Sequence, residues 1–159
     1  MKSLTLLRHA KSERDSPDGS DFARSLNERG RADAARMGEE MRRLGLRHDL
    51  VLASPAQRVV ETLEGVGGMA PRFDERIYNA STNELLGIVQ EVDDSIDRLM
   101  LVGHNPGFER LAGQLTDGVL DVPTGALVEI ELPIDHWREA GKGSGRLVRF
   151  IKPKELDQS

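Results

Sequence analysis

The chain has 159 residues, 27 acidic and 22 basic, with a formal net charge of −5 at pH 7. That length suits one domain with an ordinary core, and the acidic balance argues against a general polyanion-binding surface, so no nucleic-acid partner is expected. Cysteine is absent, which excludes thiol nucleophiles, disulfides and thiolate metal sites together.

Met1-Lys2-Ser3 leads straight into the apolar run Leu4 to Leu7. That run is too short for the core of a secretory signal, and no stretch approaches the ~20 apolar residues that span a bilayer. A cytoplasmic location and no membrane partner are therefore expected. Leu4 to Leu7 reads as a first strand, and Lys11 to Ser25, polar with Pro17 and Gly19, as a loop. From Asn27 to about Leu44, the residues Ala32, Ala35, Met37, Met41 and Leu44 recur at helical spacing, with Asn27 as cap and Gly45 as stop. Asp49 to Ala53 gives a second strand, and Pro55 suits the first turn of a helix carrying Arg58, Thr62 and Leu63 that ends at Gly67-Gly68.

Arg72 to Tyr78 reads as a short extended connection, and Ser81 with Glu84 forms a capping-box pattern for a helix through Val92. Leu99 to Val102 is a third strand, followed by a helix from Pro106 containing Phe108 and Leu111. Ala126 to Leu132 and Arg146 to Ile151 read as paired strands separated by a polar, Gly-rich excursion, in which Trp137 packs rather than binds substrate. His48 and His136 have no companion motif and read as surface residues. One domain is expected over 1–152, with a frayed tail over 153–159. Strands alternating with helices predict a three-layer α/β/α domain whose central sheet is mostly parallel.

The chemistry gathers at three strand ends: Arg8-His9, Ser54-Pro55 with Arg58, and Gly103-His104-Asn105-Pro106-Gly107. Ligands of open α/β sheets bind where such ends converge. Guanidinium forks match phosphate oxygens, and a neutral imidazole nitrogen is able to attack phosphorus. Any one of these residues alone is more simply an ion pair, a turn residue or a strand-end histidine. Together they point to a phosphatase.

The ordered set Leu6-Leu7-Arg8-His9-Ala10-Lys11-Ser12, Leu26-Asn27-Glu28-Arg29-Gly30, Ser54-Pro55-Ala56-Gln57-Arg58 and Val102-Gly103-His104-Asn105-Pro106-Gly107 resembles the histidine phosphatase superfamily, which includes the cofactor-dependent phosphoglycerate mutases. Alanine at position 10 stands where that family's motif more often has glycine, and Ser25 stands where it often has proline. Within the superfamily the chain is most similar to the SixA-type protein-histidine phosphatases. The resemblance implies a phosphoglycerate mutase-like fold. It also implies that His9 is the nucleophile, that Arg8 and Arg58 hold the phosphoryl oxygens, and that His104 donates to the transferring group. Asn105, Lys11 and Ser12 would add contacts to the substrate. Glu75, in Asp74-Glu75-Arg76-Ile77-Tyr78, resembles the mutase segment that supplies a general acid. No cofactor is implied, and the scheme requires no metal.

The implied reaction has two steps, transfer to His9 and then to water, with net retention at phosphorus. Short loops and the lack of a cap insertion imply an open pocket, suited to a phosphohistidine on a protein. A small-metabolite phosphomonoesterase or mutase with the same core, a non-catalytic phosphate-binding module and a metal-dependent hydrolase are the alternatives.

Overall fold

A computed structural model describes residues 1–156. The chain order is β1 (Lys2–Arg8), α1 (Glu28–Arg43), β2 (Leu50–Ala53), α2 (Gln57–Val66), β3 (Arg72–Phe73), α3 (Thr82–Gln90), β4 (Arg98–Gly103), α4 (Gly107–Thr116), β5 (Leu127–Leu132) and β6 (Arg146–Ile151). All six strands form one sheet in the order β3-β2-β4-β1-β5-β6. The pairings from β3 through β2 and β4 to β1 are parallel. β5 runs antiparallel to both β1 and β6, with a register shift between Glu129 and Ile130. The expected layering and mostly parallel sheet are therefore present, with antiparallel pairing confined to the β5 side.

Alternation along the strands sorts side chains into two cores. Leu4, Leu6, Leu99, Leu101, Val128 and Ile130 point to the face covered by α3, α4 and Trp137. Leu7, Val51, Ala53, Met100, Val102 and Leu127 point to the face covered by α1 and α2. This follows from the period-2 geometry of a strand, and both faces are apolar because both are covered. Each fully buried Leu, Ile or Val contributes about 1.5–3 kcal/mol relative to exposure.

The helix boundaries follow their caps. Asn27 accepts the Gly30 amide at 2.8 Å, Glu28 lies in the first turn of α1 and Arg42 and Arg43 in the last, matching the helix dipole. Gly45, with φ of +68°, turns the chain away beyond α1. The Ser81–Glu84 capping box forms as expected. Pro55 lies outside α2, which begins at Gln57, and Pro106 is the N-terminal cap of α4 rather than its first residue. The Gly-rich excursion contains a short 3₁₀ turn, Trp137–Glu139, whose fully buried indole donates to the Ile96 carbonyl at 2.7 Å.

Two expectations need correction. The segment Pro153–Glu155 is a 3₁₀ turn, Pro153 is buried and Leu156 packs on the α1/α2 core, so the chain is held beyond residue 152; residues 157–159 lie outside the described part. Of the two histidines with no motif, His136 lies at the surface as expected, its side chain 44% exposed, whereas His48 is half-buried. His48 Nε2 lies 2.9 Å from the buried Thr5 hydroxyl, and His136 Nδ1 pairs with Asp94 at 2.8 Å.

Candidate active site

The site forms where β1, β2 and β4 end side by side. Parallel register places Arg8 opposite Gly103 and Ala53 opposite Val102, so residues just beyond these pairs emerge at one edge. The main chain at His9 is fixed from both neighbours: its amide donates to the Gly103 carbonyl at 3.0 Å, and its carbonyl accepts the Gly125 amide at 2.8 Å.

The His9 ring is buried, and its Nδ1 lies 2.7 Å from the Ala10 carbonyl oxygen. A carbonyl only accepts, so Nδ1 carries the proton and Nε2 keeps its lone pair. Burial pushes the His9 pKa down to about 3; the Ala10 carbonyl opposes that shift, while His104, Arg58 and Arg8 reinforce it. The ring is therefore neutral at physiological pH.

His104 faces it, with ring centroids 5.3 Å apart and the planes tilted by 54°. Its Nδ1 lies 3.3 Å from Arg58 Nη2 and its Nε2 lies 2.7 Å from Ser54 Oγ. A guanidinium only donates, so Nδ1 accepts here and Nε2–H donates to the serine. Burial first, then the Arg58 charge, pushes the His104 pKa down to about 4, with Asp21 opposing. Because a hydroxyl both donates and accepts, Ser54 is able to support either tautomer of this imidazole.

Arg58 is buried on the first turns of α2. Its Nη1 donates to the Asp21 carbonyl at 2.8 Å and its Nη2 to Asp21 Oδ2 at 3.0 Å. Arg8 Nη1 donates to the Val122 carbonyl at 2.9 Å. The Nε–H groups of both arginines are buried without an acceptor, so neither guanidinium has its full donor capacity satisfied. Thr62 joins the two halves, since its Oγ1 accepts the Ala10 amide at 2.9 Å and donates to the Arg58 carbonyl at 2.7 Å. The result is a bare imidazole nitrogen in a cationic, desolvated setting, which equips it to attack an electrophilic, oxygen-rich group such as a phosphoryl.

Residues 4–107 match the model of the histidine phosphatase superfamily, branch 1. The chain belongs to that superfamily. An uncharacterized protein of Mycobacterium tuberculosis, Rv1276c, is 33% identical over 161 residues, covering 93% of this chain and 100% of the relative. Among solved structures, a candidate phosphohistidine phosphatase SixA from Agrobacterium tumefaciens has a TM-score of 0.82 and 28% identity, with 96% of this chain and 98% of that chain covered. A second candidate SixA, from Nakamurella multipartitia, has a TM-score of 0.83 at 22% identity, with 96% of each chain covered, a likeness in fold. The fold of this histidine phosphatase is thus the phosphoglycerate mutase-like one.

The structure of this histidine phosphatase brings His9, Arg8, Arg58 and His104 into one cluster. Asn105 borders it, but its side chain is committed to holding the wall: Nδ2 donates to Glu109 Oε1 at 2.9 Å and to the Val122 carbonyl at 2.8 Å. Ser12 Oγ accepts Arg24 Nη1 at 2.8 Å, whereas Lys11 is exposed. Glu75 is exposed on the 3₁₀ turn Glu75–Ile77 and shares no hydrogen bond with the cluster among the described residues.

Sequence reasoning missed Asp21 and Tyr78. The Tyr78 hydroxyl donates to Asp21 Oδ2 at 2.7 Å, while its ring packs edge-on against His104 and Phe22. That hydroxyl first, then Arg24 and Arg58, hold the Asp21 carboxylate far below its usual range against the opposing cost of burial. The loop of residues 12–26 is thus braced against the site through Asp21 and joined at its ends by a bridge between Ser12 and Leu26. The one available signal was an aspartate inside a polar loop, which by itself carries no direction.

Proposed function

We propose that this protein is a phosphohistidine phosphatase acting on a phosphoprotein in the cytoplasm. The observation that carries the reading is the Nδ1–Ala10 carbonyl bond, which leaves Nε2 of a buried, neutral His9 free beside Arg8, Arg58 and His104. Likeness to the candidate SixA of Agrobacterium tumefaciens supports the substrate class.

In the first step His9 Nε2 bonds to phosphorus and the phosphorus–nitrogen bond of the substrate breaks, the imidazole departing neutral with a proton that its other nitrogen has taken from solvent. Arg8 and Arg58 neutralise charge on the equatorial oxygens, where positioning and electrostatics supply most of the catalysis. His104 donates from Nδ1 once Ser54 donates to its Nε2. Water then attacks phosphorus opposite Nε2, inorganic phosphate departs and His9 is restored. Two in-line displacements give net retention. Lys11, Ser12 and Asn105 border the incoming group, and Glu75 protonates leaving groups too basic to depart unaided. No cofactor takes part in this scheme.

The test is a millisecond quench into alkali after mixing with a histidine peptide bearing labelled phosphate. Acid-labile label should appear on His9 and be absent from His9→Ala. Label on another residue, or turnover persisting in His9→Ala, overturns the assignment. Unchanged hydrolysis of an alkyl phosphate by Glu75→Gln removes the acid role.

A further inference from the structure

Resting on the phosphoprotein reading, we infer that the cleft beside Arg8 recognises carboxylate side chains that flank the phosphohistidine in its substrate. Arg8, bonded to the Val122 carbonyl at 2.9 Å, lines an open cleft of about 770 Å³ together with Val122 and Pro123. Arg8 thus belongs both to this cleft and to the cluster around His9, and a peptide presenting its phosphorylated side chain to Arg8 would lead its own backbone along the cleft.

The charges around the cleft are unequally satisfied. Three carboxylates reach it, from Asp33, Glu109 and Asp121. Asp33 is nearly buried and already bound by Arg29 at 3.1 Å and Arg36 at 3.2 Å. Glu109 Oε1 accepts from Asn105 and from the Val122 amide at 3.1 Å. Arg29 is thus committed, and Asp121 is the acid left without a bonded partner among the described residues.

Against it stand Lys11, Lys152 and Lys154, none of which has a carboxylate partner among the described residues. They come from two distant parts of the chain, the segment after His9 and the segment after β6. Lys152 is also placed, with its Nζ 5.1 Å from the centroid of the Phe150 ring. The packed turn Pro153–Glu155 fixes the backbone that presents Lys154. In a chain of net charge −5, three unpaired ammoniums at the mouth of one cleft create a local field opposite in sign to the whole. Such a field attracts an acidic segment and repels a basic one, and it acts on encounter and orientation.

The experiment uses two chemically phosphorylated histidine peptides of equal length, one with glutamates on both sides of the phosphohistidine and its glutamine twin. The intact protein should hydrolyse the glutamate peptide with kcat/KM higher by about tenfold at low salt, mainly through KM, with the ratio shrinking as ionic strength rises. In the double variant Lys152→Gln/Lys154→Gln the ratio should fall toward one, and in Lys152→Glu/Lys154→Glu it should invert. Circular dichroism confirms that both variants fold. A ratio near one in the intact protein, or one unaltered by these variants, overturns the inference while leaving phosphohistidine turnover standing. Failure to hydrolyse either peptide overturns the substrate reading and this inference together.

Discussion

Lowering the pH from 8 to 5 should destabilise this protein well before its carboxylates titrate. Burial holds the His9 pKa at about 3, and burial reinforced by neighbouring arginines holds those of His104 and His48 at about 4. An unfolded histidine titrates near 6.5, so at pH 5 it is about 97% protonated while His9 in the fold is about 1% protonated. The unfolded chain then binds more protons than the native one, and stability falls as pH drops below 6.5 until the folded values are reached. For His9 this amounts to about 2 kcal/mol at pH 5. The two half-buried rings add less each because water screens them, giving about 4 kcal/mol in all, a large part of the roughly 5–15 kcal/mol of a typical domain. Urea unfolding at pH 8, 6.5 and 5 measures it, with an expected fall in midpoint of about 2 M for a slope near 2 kcal/mol/M. A midpoint level down to pH 5, dropping only as carboxylates protonate, would refute the reasoning. His9 itself stays neutral throughout, so formation of its phosphorylated form should not slow at pH 5.5 through protonation of the nucleophile.

Other perturbations separate placement from chemistry. Thr62→Val leaves the Ala10 amide without its acceptor and should cost about 1–3 kcal/mol in urea unfolding, with a fall in kcat. Asp21→Ala removes the carboxylate shared by Arg58 Nη2, Arg24 and Tyr78 while the Asp21 carbonyl still holds Arg58 Nη1; kcat/KM should fall about tenfold through lost positioning, while the urea midpoint changes little because half of the Asp21 side chain is exposed. Equal activity in that variant would show that Arg58 needs no carboxylate brace. Gly30→Ala would place a Cβ 2.0 Å from the Lys11 carbonyl oxygen, in backbone rather than a movable side chain. A stability loss of about 2–3 kcal/mol is expected by thermal unfolding.

The strands and the chemistry at their ends were legible because both have a local signature. Leu4 to Leu7 alternates between two covered faces, and Asn27, Ser81 and Gly67 mark helix ends through bonds to residues close in sequence. The same logic singled out His9, Arg58 and His104, each just past or shortly after a strand, and the fold sets them side by side. Asp21, Ser54 and Thr62 act across separations that leave no period: Asp21 meets Arg58 37 positions away, Ser54 meets His104 50 away, and Thr62 meets Ala10 52 away. The tail beyond Pro153 looked polar, yet one proline ring and Leu156 are enough to seat it. Glu75 matched a segment by order of residues, whereas its exposure depends on the pitch of a 3₁₀ turn.

The atom that keeps the His9 imidazole in its reactive tautomer is the main-chain oxygen of Ala10, the next residue in the chain. Every amino acid brings that oxygen with it, so no point mutation at position 10 deletes it. Glycine and alanine are interchangeable there as far as this proton is concerned, and what limits position 10 is the room around its buried side chain. The proposed nucleophile would in this sense draw its readiness from the backbone, which no side-chain substitution removes.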